Sequence, residues 1–185
     1  MLKKIIFFTF LILNFFNMKQ LIAESNFEAV GNFDINKYAG TWYEVARLNH
    51  TFQKNCDYVV ANYILKNEDK IEVINTCTLN TGKLKTAKGV AKFATEDTTL
   101  AHLKVSFFWP FYGNYKVIML DPKYNWAVVG DGTLRYFWIL SRTPSISKDL
   151  LEVILKESKD LGFDINNLIY SSTQEYKPEV IEENN

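Results

Sequence analysis

Gly40-Thr41-Trp42-Tyr43-Glu44-Val45-Ala46-Arg47 is the stretch on which the fold turns. A glycine just before a strand lets the backbone turn tightly without a Cβ penalty, and a tryptophan two residues later carries a large flat face that must be buried. Far downstream, Tyr136-Phe137-Trp138-Ile139-Leu140-Ser141-Arg142-Thr143-Pro144 alternates so that Tyr136, Trp138, Leu140 and Arg142 share one face. A guanidinium laid over an indole would plug one end of a barrel, which makes Arg142 the expected partner of Trp42.

Between these anchors the sequence reads as strand after strand, at 41–48, 58–65, 71–79, 84–95, 100–108, 114–121, 125–130 and 134–141. Turn residues separate them, among them Asn67-Glu68-Asp69, Asn80-Thr81-Gly82 and Asp121-Pro122-Lys123. Short strands at hairpin spacing predict an all-β, antiparallel, up-and-down barrel of eight strands. Before the first strand, Phe33-Asp34-Ile35-Asn36-Lys37-Tyr38 reads as a brief helical or turn segment. After Pro144 the period becomes helical, with Leu150, Val153, Ile154 and Leu161 as the apolar stripe, Ser145 or Ser147 as the cap and Gly162 as the stop. That helix is expected to lie on the outside of the barrel in a structural role. Residues 167–170 add a short closing strand, and the acidic tail 177–185 is expected to be disordered.

A strand-opening G-x-W paired with a late strand-ending arginine resembles the lipocalin pattern. The run Leu103-Lys104-Val105-Ser106-Phe107-Phe108-Trp109-Pro110-Phe111-Tyr112-Gly113-Asn114-Tyr115, together with Trp138-Ile139-Leu140-Ser141-Arg142-Thr143-Pro144, is similar to the bacterial lipocalins related to apolipoprotein D. Similarity runs from about residue 33 to about residue 170, so residues 33–176 form the expected domain, preceded by an arm at 24–32. The resemblance implies that the segment around Ile35 covers the closed barrel end and that Gly40, Trp42 and Arg142 close it. Asp121-Pro122-Lys123-Tyr124 departs from the T-D-Y that lipocalins often show before the seventh strand.

A barrel of about eight strands is just wide enough to be filled by side chains or to hold one small ligand. Taking Trp42 and Arg142 as inward anchors, alternation adds Glu44, Ala46, Leu48, Tyr136, Trp138 and Leu140. On the other strands parity leaves two choices. The resemblance selects Ala61, Tyr63, Ile71, Val73, Ala91 and Phe93, then Leu103, Val105, Phe107, Tyr115, Val117 and Met119. Within this set the expected ligand contacts are Ala46, Leu48, Ala61, Tyr63, Val73, Phe93, Val105, Phe107, Tyr115, Val117, Tyr136 and Trp138. Small residues leave volume, aromatic ones supply walls for an acyl chain, and Tyr115 and Tyr136 are placed to hydrogen-bond a head group. The competing reading of the same residues is a solid core.

Composition narrows the classes. One domain suits 185 residues, and 48% apolar with 15% aromatic residues supplies a sizeable core. Residues 1–23 read as a secretory signal, with Lys3 and Lys4 before the apolar run 5–16 and Ala23 as the cleavage point. An uncleaved anchor is the rival, because Leu21 fits poorly two positions before Ala23. The bacterial relatives often carry a lipidated cysteine directly after the signal, whereas no cysteine precedes Cys56 here. The resemblance therefore does not carry a lipid anchor over to this chain. Removing the signal turns 21 basic and 21 acidic residues into 18 and 21, a charge of −3. That balance argues against nucleic acid or an anionic membrane as the main partner. Cys56 at the start of the second strand and Cys77 near the end of the third come to neighbouring rungs of one hairpin, and an even count in an exported protein suggests a disulfide. Two free buried thiols are the other reading. Asn49-His50-Thr51 fits a glycosylation acceptor.

Catalytic patterns are sparse. His50 and His102 lack the spacing of a metal site, no nucleophile elbow or phosphate-cradling loop occurs, and Gly130-Asp131-Gly132 reads as a hairpin turn. No cofactor or metal is expected. Glu44 faces inward, so it must be paired, hydrogen-bonded or protonated. The expectation is an exported, non-enzymatic lipocalin that carries a lipophilic ligand such as a fatty acid or lysophospholipid, in the periplasm, at the outer membrane, or secreted where the host has none. Two alternatives stand beside it. A lipocalin-fold enzyme would rely on Glu44, Tyr115 and Tyr136. A protein-binding scaffold would use the aromatic loop 107–115, which either stands exposed, to dip into a lipid surface or make a protein contact, or packs on itself against a barrel end.

Overall fold

The chain alternates strand and tight connection until it closes on itself. The computed structural model describes residues 27–67 and 70–178; the expected signal, the turn residues 68–69 and most of the expected tail lie outside them. Eight antiparallel strands run in order: β1 (Gly40–Arg47), β2 (Cys56–Asn67), β3 (Lys70–Leu79), β4 (Leu84–Phe93), β5 (His102–Phe108), β6 (Phe111–Leu120), β7 (Trp126–Gly130) and β8 (Phe137–Ser141). Each pairs with the next, β8 pairs with β1, and β1 pairs with β2, which closes the barrel. A two-residue strand, β9 (Ile169–Tyr170), adds to the outside of β1. Leu134 to Tyr136, expected in the eighth strand, belong instead to its incoming connection. Cys56 and Cys77 are joined in a disulfide with Cα atoms 5.5 Å apart.

One end is sealed by a short helix, α1 (Ile35–Tyr38), capped by the Asp34 side chain accepting from the Asn36 N–H. Gly40 then adopts a φ of +98°, a left-handed conformation natural to glycine, and turns the chain into β1. Arg142 lies with its guanidinium carbon 3.8 Å from the Trp42 ring centre. It donates to the carbonyls of Lys37, Tyr38, Ala39, Thr41 and Tyr124 at 2.7–3.2 Å, while the Trp42 indole N–H donates to the Tyr38 carbonyl at 2.7 Å. Tyr124, in the departed D-P-K-Y segment, joins this plug by accepting the Asp34 N–H on its hydroxyl.

Two cores divide the apolar residues. Inside the closed half, Trp42, Tyr38, Phe33, Ile71, Leu103 and Val117 pack together. On the outside, the second helix, α2 (Lys148–Asp160), is capped by Ser147 and stopped at Gly162 (φ +96°). It buries Leu151, Ile154 and Leu155 against Val45, Ala46, Val128, Phe137 and Ile139. Of the expected stripe, Leu150, Ile154 and Leu161 pack in this core, whereas Val153 is 54% exposed, and Leu151 and Leu155 complete the face. Phe27, within the expected polar arm, is buried in this outer core against Phe163.

Two β-bulges assign residues to the two cores. The pairing of β1 with β8 runs Glu44 to Leu140 and then Ala46 to Ile139, so Val45 is the extra residue and the alternation reverses there. Ala46 and Leu48, expected inside, therefore face the outer core, and Arg47 turns inward. An irregularity at Ile118 does the same on β6, sending Met119 to the outer core instead of the interior.

Replacing Arg142 by Met keeps the apolar stem but removes the charge and leaves the part-buried carbonyls of Tyr38, Ala39 and Tyr124 without this donor. We expect a loss of about 2–4 kcal/mol, measured as a lower urea midpoint with an unchanged m-value.

Candidate functional site: a cavity in the open half of the barrel

Above the closed half the interior is hollow. A cavity of about 430 Å³ opens toward the β1–β2 and β7–β8 connections. Its walls are largely apolar, made by Val59, Ala61, Val73, Val105, Phe107 and Leu140. Gly89 shapes one wall, because a Cβ there would sit 2.7 Å from the Ser106 carbonyl and 2.8 Å from the Phe107 ring. The missing side chain on β4 is what lets that ring lean across the strand.

Of the residues expected to contact a ligand, the structure brings Ala61, Tyr63, Val73, Val105, Phe107, Tyr115, Tyr136 and Trp138 to the cavity. Phe93 and Val117 belong to the packed closed half, and Ala46 and Leu48 lie outside the barrel for the reason given above. The cavity also has polar residues that the reading of alternation passed over: Gln53, Asn75, Asn114, Asp131, Thr133 and Arg135. Asn75 follows Val73 in the same parity and Val59 precedes Ala61 in theirs, so both were legible. Gln53, Asp131 and Arg135 sit on connections, where alternation gives no signal.

One wall carries a buried ionic network. Arg47 Nη1 donates to Glu44 Oε1 at 2.7 Å, and Gln53 Nε2 donates to Glu44 Oε2 at 2.7 Å. Trp138 Nε1 donates to Gln53 Oε1 at 3.0 Å, and Arg47 Nη2 reaches the carbonyls of Gln53 and Cys56. Burial pushes the Glu44 carboxyl up from its ordinary range, opposed by the Arg47 charge and by hydrogen bonds from Gln53 and Arg47. Both carboxylate oxygens are engaged, so Glu44 ties the β1–β2 connection to the cavity wall.

At the floor three phenols meet. Tyr115 Oη lies 2.7 Å from Tyr38 Oη and 2.9 Å from Tyr63 Oη. Burial raises all three, holding Tyr38 and Tyr115 well above the usual phenol range and Tyr63 at about 12, so each stays neutral. Among the described residues no group of His, Cys, Asp and Glu is arranged to hold a metal. At the mouth, Phe108, Trp109 and Phe111 are 80%, 82% and 75% exposed, so the β5–β6 tip does not fold back onto the barrel.

His50 stacks against Phe52, Tyr136 and Trp138 beside the mouth, with centroids 4.7–5.1 Å apart. Burial lowers its pKa from 6.5 to about 4, helped by the Arg47 charge and opposed by Asp131. Below about pH 6.5 the unfolded chain binds a proton that the folded one refuses until about pH 4. Stability should therefore fall through that window by up to about 3 kcal/mol. Denaturant titrations across it should show a loss in the wild type that is smaller by this amount in His50→Phe.

The sequence profile of the lipocalin-like domain matches residues 33–173. The outer membrane lipoprotein Blc of Vibrio cholerae is 43% identical over 147 residues, covering 78% of this chain and 85% of the relative. The protein of the same name from Citrobacter freundii is 44% identical over 142 residues, covering 76% and 80%. Among solved structures, insecticyanin from the tobacco hornworm Manduca sexta superposes with a TM-score of 0.66 at 20% identity, covering 80% of this chain and 84% of that one, a likeness of fold. With the Trp42–Arg142 plug, the closed eight-stranded barrel and the flanking helix, these matches place the chain in the lipocalin-like family.

Proposed function

We propose that this lipocalin binds and carries a fatty acid or lysophospholipid in the cell envelope, in lipid storage, transport or repair. The observation that carries the reading is the apolar-walled cavity of about 430 Å³, sealed at one end and open at the other. The names of its bacterial relatives, outer membrane lipoproteins, support an envelope location at or near the outer membrane. An acyl chain enters the cavity and the head group stays at the mouth, beside Arg135 and Tyr136. Ala61, Val73, Val105, Phe107 and Trp138 form the chain-contacting walls. Burying about ten methylenes yields roughly 8 kcal/mol before ordering costs, which supports micromolar binding if those costs stay small or the head group contributes. Binding without chemistry fits better than turnover, because Glu44 is held by Arg47 and Gln53 and Tyr115 is held by two other phenols.

Native mass spectrometry of the exported protein, followed by organic extraction, should find such a lipid at fixed stoichiometry. Adding fatty acid to stripped protein should change the fluorescence of Trp138. An empty protein whose fluorescence does not respond would overturn the reading.

The exposed tip favours a second contact, with a lipid surface. Successive hairpins alternate between the two ends of the barrel, so the β5–β6 tip shares the open end with the β1–β2, β3–β4 and β7–β8 connections, and with them Leu84, 70% exposed, and the exposed cations Lys54, Lys83, Lys85 and Arg135. Within the connections of that end the acid is Asp131, which is buried, while Asp160 and Asp164 stand at the side, where Gly162 comes against Leu134. The whole-chain charge averages over both ends and conceals this. Aromatic side chains flanked by cations suit an anionic bilayer interface. Vesicles containing phosphatidylglycerol should co-sediment the protein, and Trp109→Ser should weaken that without changing fatty-acid affinity. A dimer in vesicle-free solution that Trp109→Ser dissolves, with no vesicle binding, would assign the tip to a protein contact instead.

A further inference from the structure

The flank of the barrel opposite α2 carries an unbalanced charge. In the closed ring of eight strands β4 lies across from β8, against which α2 packs. Strands β3 to β6 hold six lysines, Lys70, Lys85, Lys88, Lys92, Lys104 and Lys116, and a single acid, Glu72. On the other flank α2 holds four acids and three lysines, and two of those lysines form ion pairs along the helix.

At the centre of this flank the charges repel one another. Lys92 stands directly opposite Lys104 in the β4–β5 register, an arrangement that lowers stability. Lys88 shares the outward face of Lys92 by alternation, and all three are exposed. None of the three forms an ion pair among the described residues. Glu72 is held by Lys66 at 2.6 Å and faces Lys70 and Lys88 more loosely. Glu96 and Asp97 stand beyond, on the closed-end turn between β4 and β5, where Asp97 accepts from Thr99. Lysines on strands often guard a sheet edge, but β4 and β5 are paired on both sides and have none to guard. Solubility alone is served by charges of both signs, interspersed.

The flank is continuous with the aromatic tip, because Lys92 Nζ lies 4.9 Å from the centre of the Tyr112 ring. We infer that the β4–β5 flank is a second contact with an anionic bilayer: the barrel leans over, its tip in the interface and Lys88, Lys92 and Lys104 against the head groups. This rests on the reading of the tip as a lipid contact and gives that contact an orientation. Aromatic rings that enter an interface, beside lysines that stay at the level of the phosphates, are the combination an anionic bilayer rewards. A nucleic acid would favour arginine forks and aromatic platforms, whereas the outward residues between these lysines are Val90 and Ser106. In this posture the cavity mouth comes to the head-group layer, where a lipid can enter or leave without crossing bulk water.

The test uses vesicles of phosphatidylglycerol and of phosphatidylcholine, with two double variants of equal charge. Lys92→Gln with Lys104→Gln should weaken sedimentation with phosphatidylglycerol about twentyfold, roughly a fivefold share for each lysine. Lys148→Gln with Lys156→Gln, on α2, should change it by less than about threefold. Fatty-acid affinity should match the wild type in both. On vesicle-bound wild type, amine acetylation read by mass spectrometry should be suppressed at Lys88, Lys92 and Lys104 and unchanged at Lys148 and Lys156; this readout decides if a variant fails to fold. If the wild type binds and Trp109→Ser releases it, but the three lysines stay reactive or the double variants lose binding equally, the flank is wrong and the tip reading stands. If the wild type ignores the vesicles, tip and flank both fall, and DNA that then protects the same lysines would assign the flank to a nucleic acid.

Discussion

The guanidinium of Arg142 on the face of Trp42 is the contact on which the architecture depends. It joins residues a hundred positions apart, and its donors satisfy the carbonyls of the segment that crosses the barrel end. A closed barrel removes strand edges but leaves two open ends, and each must be filled or used. Here one end is filled by a polar clamp over an indole. That choice leaves the other free to be a mouth. The packed half above the plug, with Trp42, Ile71, Leu103 and Val117 fully enclosed or nearly so, supplies the rigidity that lets the upper half stay hollow.

A hollow barrel needs its outer surface stabilised, and the bulges do this. At Val45 on β1 and Ile118 on β6, one additional residue turns two successive side chains toward α2. The helix gains a wider apolar seat, and the strand beyond the bulge presents the opposite set of residues to the interior. On β1 the result is that Arg47 rather than Ala46 enters the barrel, which is how a strand that begins as part of the plug ends as part of the ionic wall. Breaking such a buried pair by removing one partner is costly, so Glu44 and Arg47 are held together by mutual need as much as by attraction.

The polar groups of the cavity are arranged by depth. Neutral phenols and an amide are at the floor, a compensated ion pair is on the wall, and cationic and aromatic residues are at the rim. The lining thus runs from charge at the rim, through apolar walls, to uncharged phenols at the floor.

The strand order, the plug, the disulfide partners and the external helix were legible in the sequence, because each follows from a local period or from residue types that need one another: an indole and a guanidinium, or two cysteines on one hairpin. The positions of Ala46, Leu48 and Met119 were not, because a bulge is invisible to a rule of strict alternation and a single inserted residue reverses every assignment beyond it. The division of the interior into a packed half and a cavity was likewise undetermined, since Phe93 and Val117 obey the same parity as Tyr63 and Val73 and differ only in depth. Nor does any sequence period bring Gln53 to Glu44 and Trp138, or three tyrosines from α1, β2 and β6 to one point. The sequence by itself determined which residues alternate and which types seek partners; the tertiary structure alone decided which of them meet, because closure of the barrel sets distances between side chains that no local rule encodes.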